Sequence, residues 1–292
     1  MSVTAAMVKE LRGRTGSGMM ECRRALVEAN TDMELAIENM RKAGLAKADK
    51  KSNRIAAEGR IAVAQSADTK SAAIIDVNCE TDFVAKGDTF KEFANAVAEA
   101  ILAADVSTVD EAYTLKLADG KTIDEVRRGL IATLGENITL RRFQKVATEG
   151  GTGFYLHGEK IGVLVELATP DAELAKDVAM HVAASKPMCV AEADVPAETV
   201  AKEKAIFVAQ AEESGKPAAI IEKMIGGRIK KFLAEVTLEG QSFIKDDKVT
   251  VAQLVKGKGN QVLSFIHLQV GEGIEKDEGD FAAEVMAQVR GA

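Results

Sequence analysis

Four adjacent residues, Thr81-Asp82-Phe83-Val84, set an acid beside a large aromatic where an apolar run, Ala72 to Cys79, gives way to a new helix. Loop tips carried by a rigid scaffold are where contact residues concentrate. A carboxylate at such a tip offers oxygens where a partner holds a cation or phosphate, and a phenyl ring offers bulk that can wedge a pocket open. The same residues admit a quieter role, in which Asp82 caps the following helix and Phe83 fills the chain's own core. Composition and spacing alone favour the quieter role.

Other chemistry is sparse. There is no Cys-x-x-Cys and no His-Glu-x-x-His, and the chain has 3 histidines, so neither a metal site nor a cofactor is expected. Gly215-Lys216-Pro217 has a superficial likeness to a phosphate loop, but Gln210 stands where the first glycine belongs and Pro217 where Ser or Thr must reach magnesium. Gly271-Glu272-Gly273 follows a strand, yet Lys276 replaces the third glycine of a dinucleotide fingerprint and neighbouring acids would repel phosphate. No Gly-x-Ser-x-Gly elbow occurs. His181, near Val178 and Val182, reads as a satisfied core imidazole, and His267 as part of a strand. His157, in an exposed turn, is the one contact candidate among the three. Cys79 alternates with Val77 and Ile75 and reads as a small buried hydrophobe. The adjacent Met19 and Met20 cannot both face a small core. Either both serve an adaptable binding face, which methionine suits, or one is buried and the other incidentally exposed. No enzyme is expected; many surfaces for interaction are.

The elements that must position these residues follow from periodicity. Residues 3 to 43 read as three short helices: Val3, Met7, Val8 and Leu11 form one stripe, Met19, Cys22, Leu26 and Ala29 a second, Leu35, Ala36 and Met40 a third. Thr31 or Asp32 is placed to cap the third helix, with Glu34 positioned to complete a capping box from Thr31. A basic stretch follows: Arg41, Lys42, Lys47, Lys50, Lys51, Arg54 and Arg60. It reads as a connector with a solvated basic face, and an RNA or ribosome contact is the alternative function it suggests; no aromatics are interleaved for stacking.

Arg60 to Ala64 and Ala72 to Cys79 are expected to pair as strands. A helix carrying Phe90, Phe93, Val97 and Ile101 follows, then a helix over Ile123 to Leu134 and a strand from Ile138 to Val146. The second half repeats the order: Gly153 to Leu156 and Ile161 to Leu167 around the turn His157-Gly158-Glu159-Lys160, a helix with Leu174, Val178 and Val182, and a late strand, Val262 to Val270. This predicts an α+β chain with two related subdomains, each packing helices on an antiparallel sheet. The second carries an insertion, Ala197 to Glu213 and Ala218 to Val236, read as a projecting helical hairpin. A short amphipathic helix, Phe281 to Val289, is expected to close the chain. The expected division is residues 1–55, three-helix bundle and basic linker; 56–148, first core subdomain; 149–292, second core subdomain with the hairpin (197–236) and a C-terminal module (271–292).

The 292 residues are 47% hydrophobic and 28% charged, with 4% aromatics and no Trp, an ordinary globular balance whose cores must rest on aliphatic side chains. A net charge of −7 argues against a surface built wholly for nucleic acid. No apolar run approaches the roughly 20 residues that span a bilayer, and no export signal is visible at Met1-Ser2-Val3-Thr4-Ala5. Cys22, Cys79 and Cys189, odd in number and widely spaced, fit reduced thiols, so a cytoplasmic location is expected.

The motifs resemble, in order and along nearly the whole chain, those of the bacterial elongation factor Ts family. Val8-Lys9-Glu10-Leu11-Arg12 with Thr15-Gly16-Ser17-Gly18-Met19-Met20 is similar to its N-terminal signature, and Val77-Asn78-Cys79-Glu80-Thr81-Asp82-Phe83-Val84-Ala85 to its second. His157 to Val165, Met180 to Pro187 and Val270 to Lys276 complete the likeness; residues 105–128 and 245–261 are its least typical stretches. The resemblance implies a guanine-nucleotide exchange factor for the GTPase elongation factor Tu, with a ubiquitin-associated-like N-terminal bundle. It implies that Thr81, Asp82, Phe83 and Val84 enter the GTPase near its magnesium and nucleotide, Phe83 as a wedge between helices and Asp82 disturbing the ion's surroundings. Arg12, Met19, Met20 and the C-terminal helix with Phe281 would rest on the GTPase domain, and His157 on a more distant one. No direct nucleic-acid or membrane contact is expected, and two copies can pair through the helical hairpin.

Overall fold

The structure, a computed structural model, describes residues 2–212 and 217–275. Phe281 and the expected C-terminal helix lie outside the described residues, as does the Ser214-Gly215-Lys216 turn.

The chain opens with α1 (Ala5–Thr15), α2 (Met19–Glu28) and α3 (Met33–Lys51). Thr4 caps α1 by accepting the Met7 N–H, and Gly16 ends it in the left-handed region at φ 69°, where a side chain would be strained. Val8, Leu11, Cys22, Leu26 and Ala36 form a small core. The capping box expected from Thr31 does not form. Thr31 is itself left-handed at φ 69°, and Asp32 Oδ1 instead accepts the Leu35 N–H at 3.0 Å. Glu34 turns away to pair with Arg14 at 2.7 Å. α3 also runs on to Lys51, so much of the expected basic linker is helix.

The first core half runs β1 (Glu58–Gln65), β2 (Ser71–Cys79), α4 (Asp82–Lys86), α5 (Asp88–Ala103), α6 (Val109–Thr114), α7 (Ile123–Leu134) and β3 (Thr139–Ala147). The second runs β4 (Gly151–His157), β5 (Ile161–Leu167), α8 (Ala172–Ser185), α9 (Ala197–Glu212), α10 (Ala218–Val236), β6 (Ser242–Phe243), β7 (Asp246–Thr250), α11 (Val251–Gly257) and β8 (Val262–Gln269). Two three-stranded antiparallel sheets result, β1-β2-β3 and β4-β5-β8, each with its second strand in the centre. The α+β class and the repeated strand order therefore match the expectation. α6, α11 and the small β6–β7 pair have no counterpart among the expected elements.

Both central strands are buried on both faces. On β2, Ala73, Ile75, Val77 and Cys79 pack with Phe90, Phe93, Val97 and Ile101 of α5, while Ala72 and Ile74 pack with Ile61 against Leu164 and Leu268 of the other sheet. On β5, Val163, Val165 and Leu167 face Leu174, Val178 and Val182 of α8. The two sheets thus meet face to face with helices outside. Gly162 permits the closeness, since an added Cβ would stand 2.4 Å from Ile61 Cγ2.

The N-terminal bundle is carried on α7 through α3. Arg41 pairs with Glu125 at 2.6 Å, an added Cβ on Gly44 would lie 3.0 Å from Ala132 Cβ, and Lys51 Nζ donates to Gly135 O. The α9–α10 hairpin is bridged by Arg228, which donates to Gln210 at 2.8 Å and lies over Phe207. Among the described residues no helix is long and apolar enough to cross a membrane.

Candidate functional site

β2 delivers the chain to the tip through a buried Cys79, whose Sγ donates to Thr81 O at 3.2 Å. Burial, reinforced by Glu136 and Glu58, pushes this thiol up to about 12, which leaves it inert as a nucleophile. Thr81 is extended (φ −124°, ψ 156°) and its hydroxyl accepts the Val84 N–H at 3.4 Å. Thr81, not Asp82, is therefore the cap of α4, because Asp82 already stands inside the helix as its first residue. The Asp82 carboxylate accepts from Lys86 Nζ at 2.7 Å. That bond, with the nearby charges of Lys86 and Lys160, holds the carboxyl below its usual range.

Phe83 overturns the quieter reading. It is 84% exposed, more than Met20 at 74% and Met19 at 51%. Neither methionine is buried, so the alternative with one buried and one exposed does not hold. Ala85, on the opposite side of α4, is the side chain that roots the helix in the core.

The tip is held from a distance by residues that periodicity did not single out. Glu136 lies just past Gly135, the left-handed C-cap of α7 at φ 81°. Its Oε2 accepts the backbone N–H groups of Glu80 and Thr81 at 3.1 and 2.9 Å, and its Oε1 accepts the Thr81 hydroxyl at 2.6 Å. In return Glu80 Oε1 accepts the Asn137 N–H at 2.6 Å. Asn137 Nδ2 donates to Ser52 O and Arg54 O at 3.2 and 2.7 Å, tying the chain just beyond α3 to the same point. An acid and an amide between a helix-stopping glycine and a strand are the only trace of this in the sequence.

Two turns approach this end of α7 and β2, the one before Met19 and Met20 and the one between β4 and β5. An added Cβ on Gly16 would lie 3.8 Å from Thr133 Cγ2, so the turn leading to Met19 and Met20 abuts the last turn of α7. From Thr133 to Glu136, extended backbone spans at most about 11 Å. Arg12 is exposed on α1. The β4–β5 turn reaches the same region: Glu159 O accepts the Ile61 N–H at 2.7 Å, its carboxylate lies 2.5 Å from buried Arg60, and Lys160 pairs with Glu58 at 2.6 Å. His157 is exposed at the end of β4, its Nδ1 3.2 Å from Tyr155 Oη. His181 is fully buried and satisfied on both ring nitrogens, by Gln241 at 2.9 Å and the Ile244 N–H at 3.2 Å.

Five of the seven cations in the basic stretch are engaged within the chain, while the side chain of Lys47 lies outside those described. Besides the Arg41 and Lys51 contacts, Lys42 pairs with Glu38 at 2.6 Å, Arg54 lies 3.6 Å from Glu80 and Arg60 is buried against Glu159. These cations serve contacts within the chain. Among the described residues no group of three or more His, Cys, Asp or Glu is arranged to hold a metal ion.

The chain is similar to known proteins along nearly its whole length. The family model described as Elongation factor TS matches residues 80–272, more than half of the 292-residue chain. An Elongation factor Ts of Methylococcus capsulatus is 60% identical over 291 residues, covering 99% of either chain. One of Thioalkalivibrio sulfidiphilus is 59% identical over 297 aligned positions, covering 100% of both, and one of Francisella tularensis subsp. novicida is 57% identical over 290 with 99% coverage.

Proposed function

The chain belongs to the elongation factor Ts family, and on that premise we propose how it serves as a guanine-nucleotide exchange factor in translation elongation. It binds elongation factor Tu carrying GDP and inserts Thr81-Asp82-Phe83-Val84 beside the nucleotide. Phe83 wedges between elements of the GTPase, and Asp82 disturbs the surroundings of the magnesium ion. No covalent bond is made or broken in this chain, and the work belongs to the cytoplasm, where its partner acts. The observation that carries the reading is the exposure of Phe83 on a tip whose backbone is fixed from behind.

Magnitudes explain why a tip needs the rest of the molecule. Speeding release by about four powers of ten takes about 5.5 kcal/mol, whereas burying one Phe yields about 1.5–3 kcal/mol. The remainder has to come from a wider surface. Met19, Met20 and Arg12 on the bundle, which takes the ubiquitin-associated-like role, and His157 on the β4–β5 turn supply it in this reading. Coupling is reciprocal, so nucleotide weakens the grip of this protein on the GTPase by the factor by which this protein weakens the grip on nucleotide. Pairing of two copies through the α9–α10 hairpin belongs to the same proposal, with Ile206 and Ile220 about half exposed there.

The experiment is release of a fluorescent GDP from elongation factor Tu in stopped flow. Phe83→Ala is expected to slow the stimulated rate by about tenfold to a hundredfold, in keeping with the wedge's share of the energy. A wild-type rate in that variant would remove the wedge from the mechanism.

A further inference from the structure

The tip owes its shape to a residue elsewhere in the chain. α4 has 5 residues, too few to form on its own, since helix nucleation is unfavourable and short helices depend on outside support. Thr81 supplies its only side-chain cap, through a long 3.4 Å bond. What fixes the hydroxyl of Thr81, and the two peptide groups leading into the helix, is the Glu136 carboxylate. It accepts all three donors, at 2.6, 2.9 and 3.1 Å. Because the Thr81 hydroxyl donates to Glu136, its lone pairs remain directed at the helix terminus. The clamp and the cap are thus one chain of hydrogen bonds.

The clamp is mounted on the support that also carries the bundle. Gly135 O, one residue before Glu136, accepts from Lys51 at the end of α3, and Asn137, one residue after, holds Ser52 O and Arg54 O. We infer that Glu136 is a positioning residue of nucleotide exchange: it holds Thr81 and the peptide entering α4 so that Asp82 and Phe83 are presented in one orientation, in register with the N-terminal bundle. This rests on the tip being the working end. Glu136 itself touches neither nucleotide nor ion; it acts through Thr81. Its effect on exchange is therefore smaller once the Phe83 ring is no longer there to be aimed.

The test has two arms. In the free protein, hydrogen exchange at the Thr81 amide is compared between the wild type, Glu136→Ala and Glu136→Gln. The alanine variant should lose protection by about tenfold or more, because the acceptor is gone. Glutamine keeps one carbonyl oxygen for the backbone donors and should stay near the wild type. In stopped flow with elongation factor Tu and fluorescent GDP, Glu136→Ala should lower the saturating release rate by about tenfold, misplacement of a working group being costly in rate. Its half-saturating concentration should change by less than about threefold, since the wider surface is intact. The Phe83→Ala/Glu136→Ala double variant should be slowed by clearly less than the product of the two single effects. Unchanged Thr81 protection in Glu136→Ala overturns the inference, as does a double variant slowed by the product of the two single effects. Wild-type release from Phe83→Ala would instead sink the wedge reading, and the amide arm would still report on the clamp.

Discussion

Phe83 and Phe90 are seven positions apart and have opposite fates. Phe83 is 84% exposed and Phe90 1%. Truncating the first removes almost no packing, so Phe83→Ala should shift the unfolding free energy by less than about 0.5 kcal/mol. Phe90→Ala, which empties a site in the α5 core, should lose about 3–5 kcal/mol. Urea unfolding followed by far-UV circular dichroism compares the two; a Phe83 variant as unstable as the Phe90 variant would place the ring in the core. The sequence could separate these residues only in part. Phe90, Phe93, Val97 and Ile101 are spaced on a helix of 16 residues, long enough for one stripe to show. α4 is too short to have a stripe, so nothing in its pattern assigned Phe83 a side. Aspartate favours the cap position, which points to Asp82, but Thr81 stands one residue earlier, extended, with its hydroxyl bonded to Glu136.

At the scale of elements, alternation and turn residues were enough to place most of the strands and long helices. Pairs brought together across long separations were not legible. Glu136 and Thr81 are 55 positions apart, and neither residue type announces the other. The meeting of the two sheets was equally hidden, because a strand buried on both faces reads as an apolar run whatever covers it. Gly162 tests that meeting. Gly162→Val would push its side chain into Ile61 Cγ2, already 2.4 Å from an added Cβ, and toward Ile74 Cδ1 at 3.1 Å. A loss of about 1–3 kcal/mol is expected from overpacking. An unchanged urea midpoint would contradict the face-to-face arrangement.

At the scale of the whole molecule, buried ionisable groups set how stability responds to pH. Burial holds His181 below its usual value of 6.5, and burial does the same to His267. As pH falls below about 6.5 the unfolded chain takes up protons that the folded imidazoles refuse, so stability should fall with acidification from that point. His181→Gln should flatten part of the slope in urea unfolding midpoints taken from pH 7.5 to 5; a wild-type midpoint constant over that range would contradict imidazoles held neutral in the fold. Asp76, buried at the inter-sheet face and raised mainly by desolvation despite Arg142 and Arg141, has the opposite sign. The fold favours its neutral form, so acidification through its folded value favours the folded state. The face-to-face sheets have a further consequence. All strands of the first sheet lie before residue 148 and all strands of the second after residue 150, so one cut near Glu149 leaves each sheet whole but strips both of their shared apolar cover. The two fragments, made apart, should be sticky and poorly soluble. Made together, they should find each other and restore exchange without a covalent link, which makes this junction a natural place to divide the factor into a reporter that works only when its halves meet.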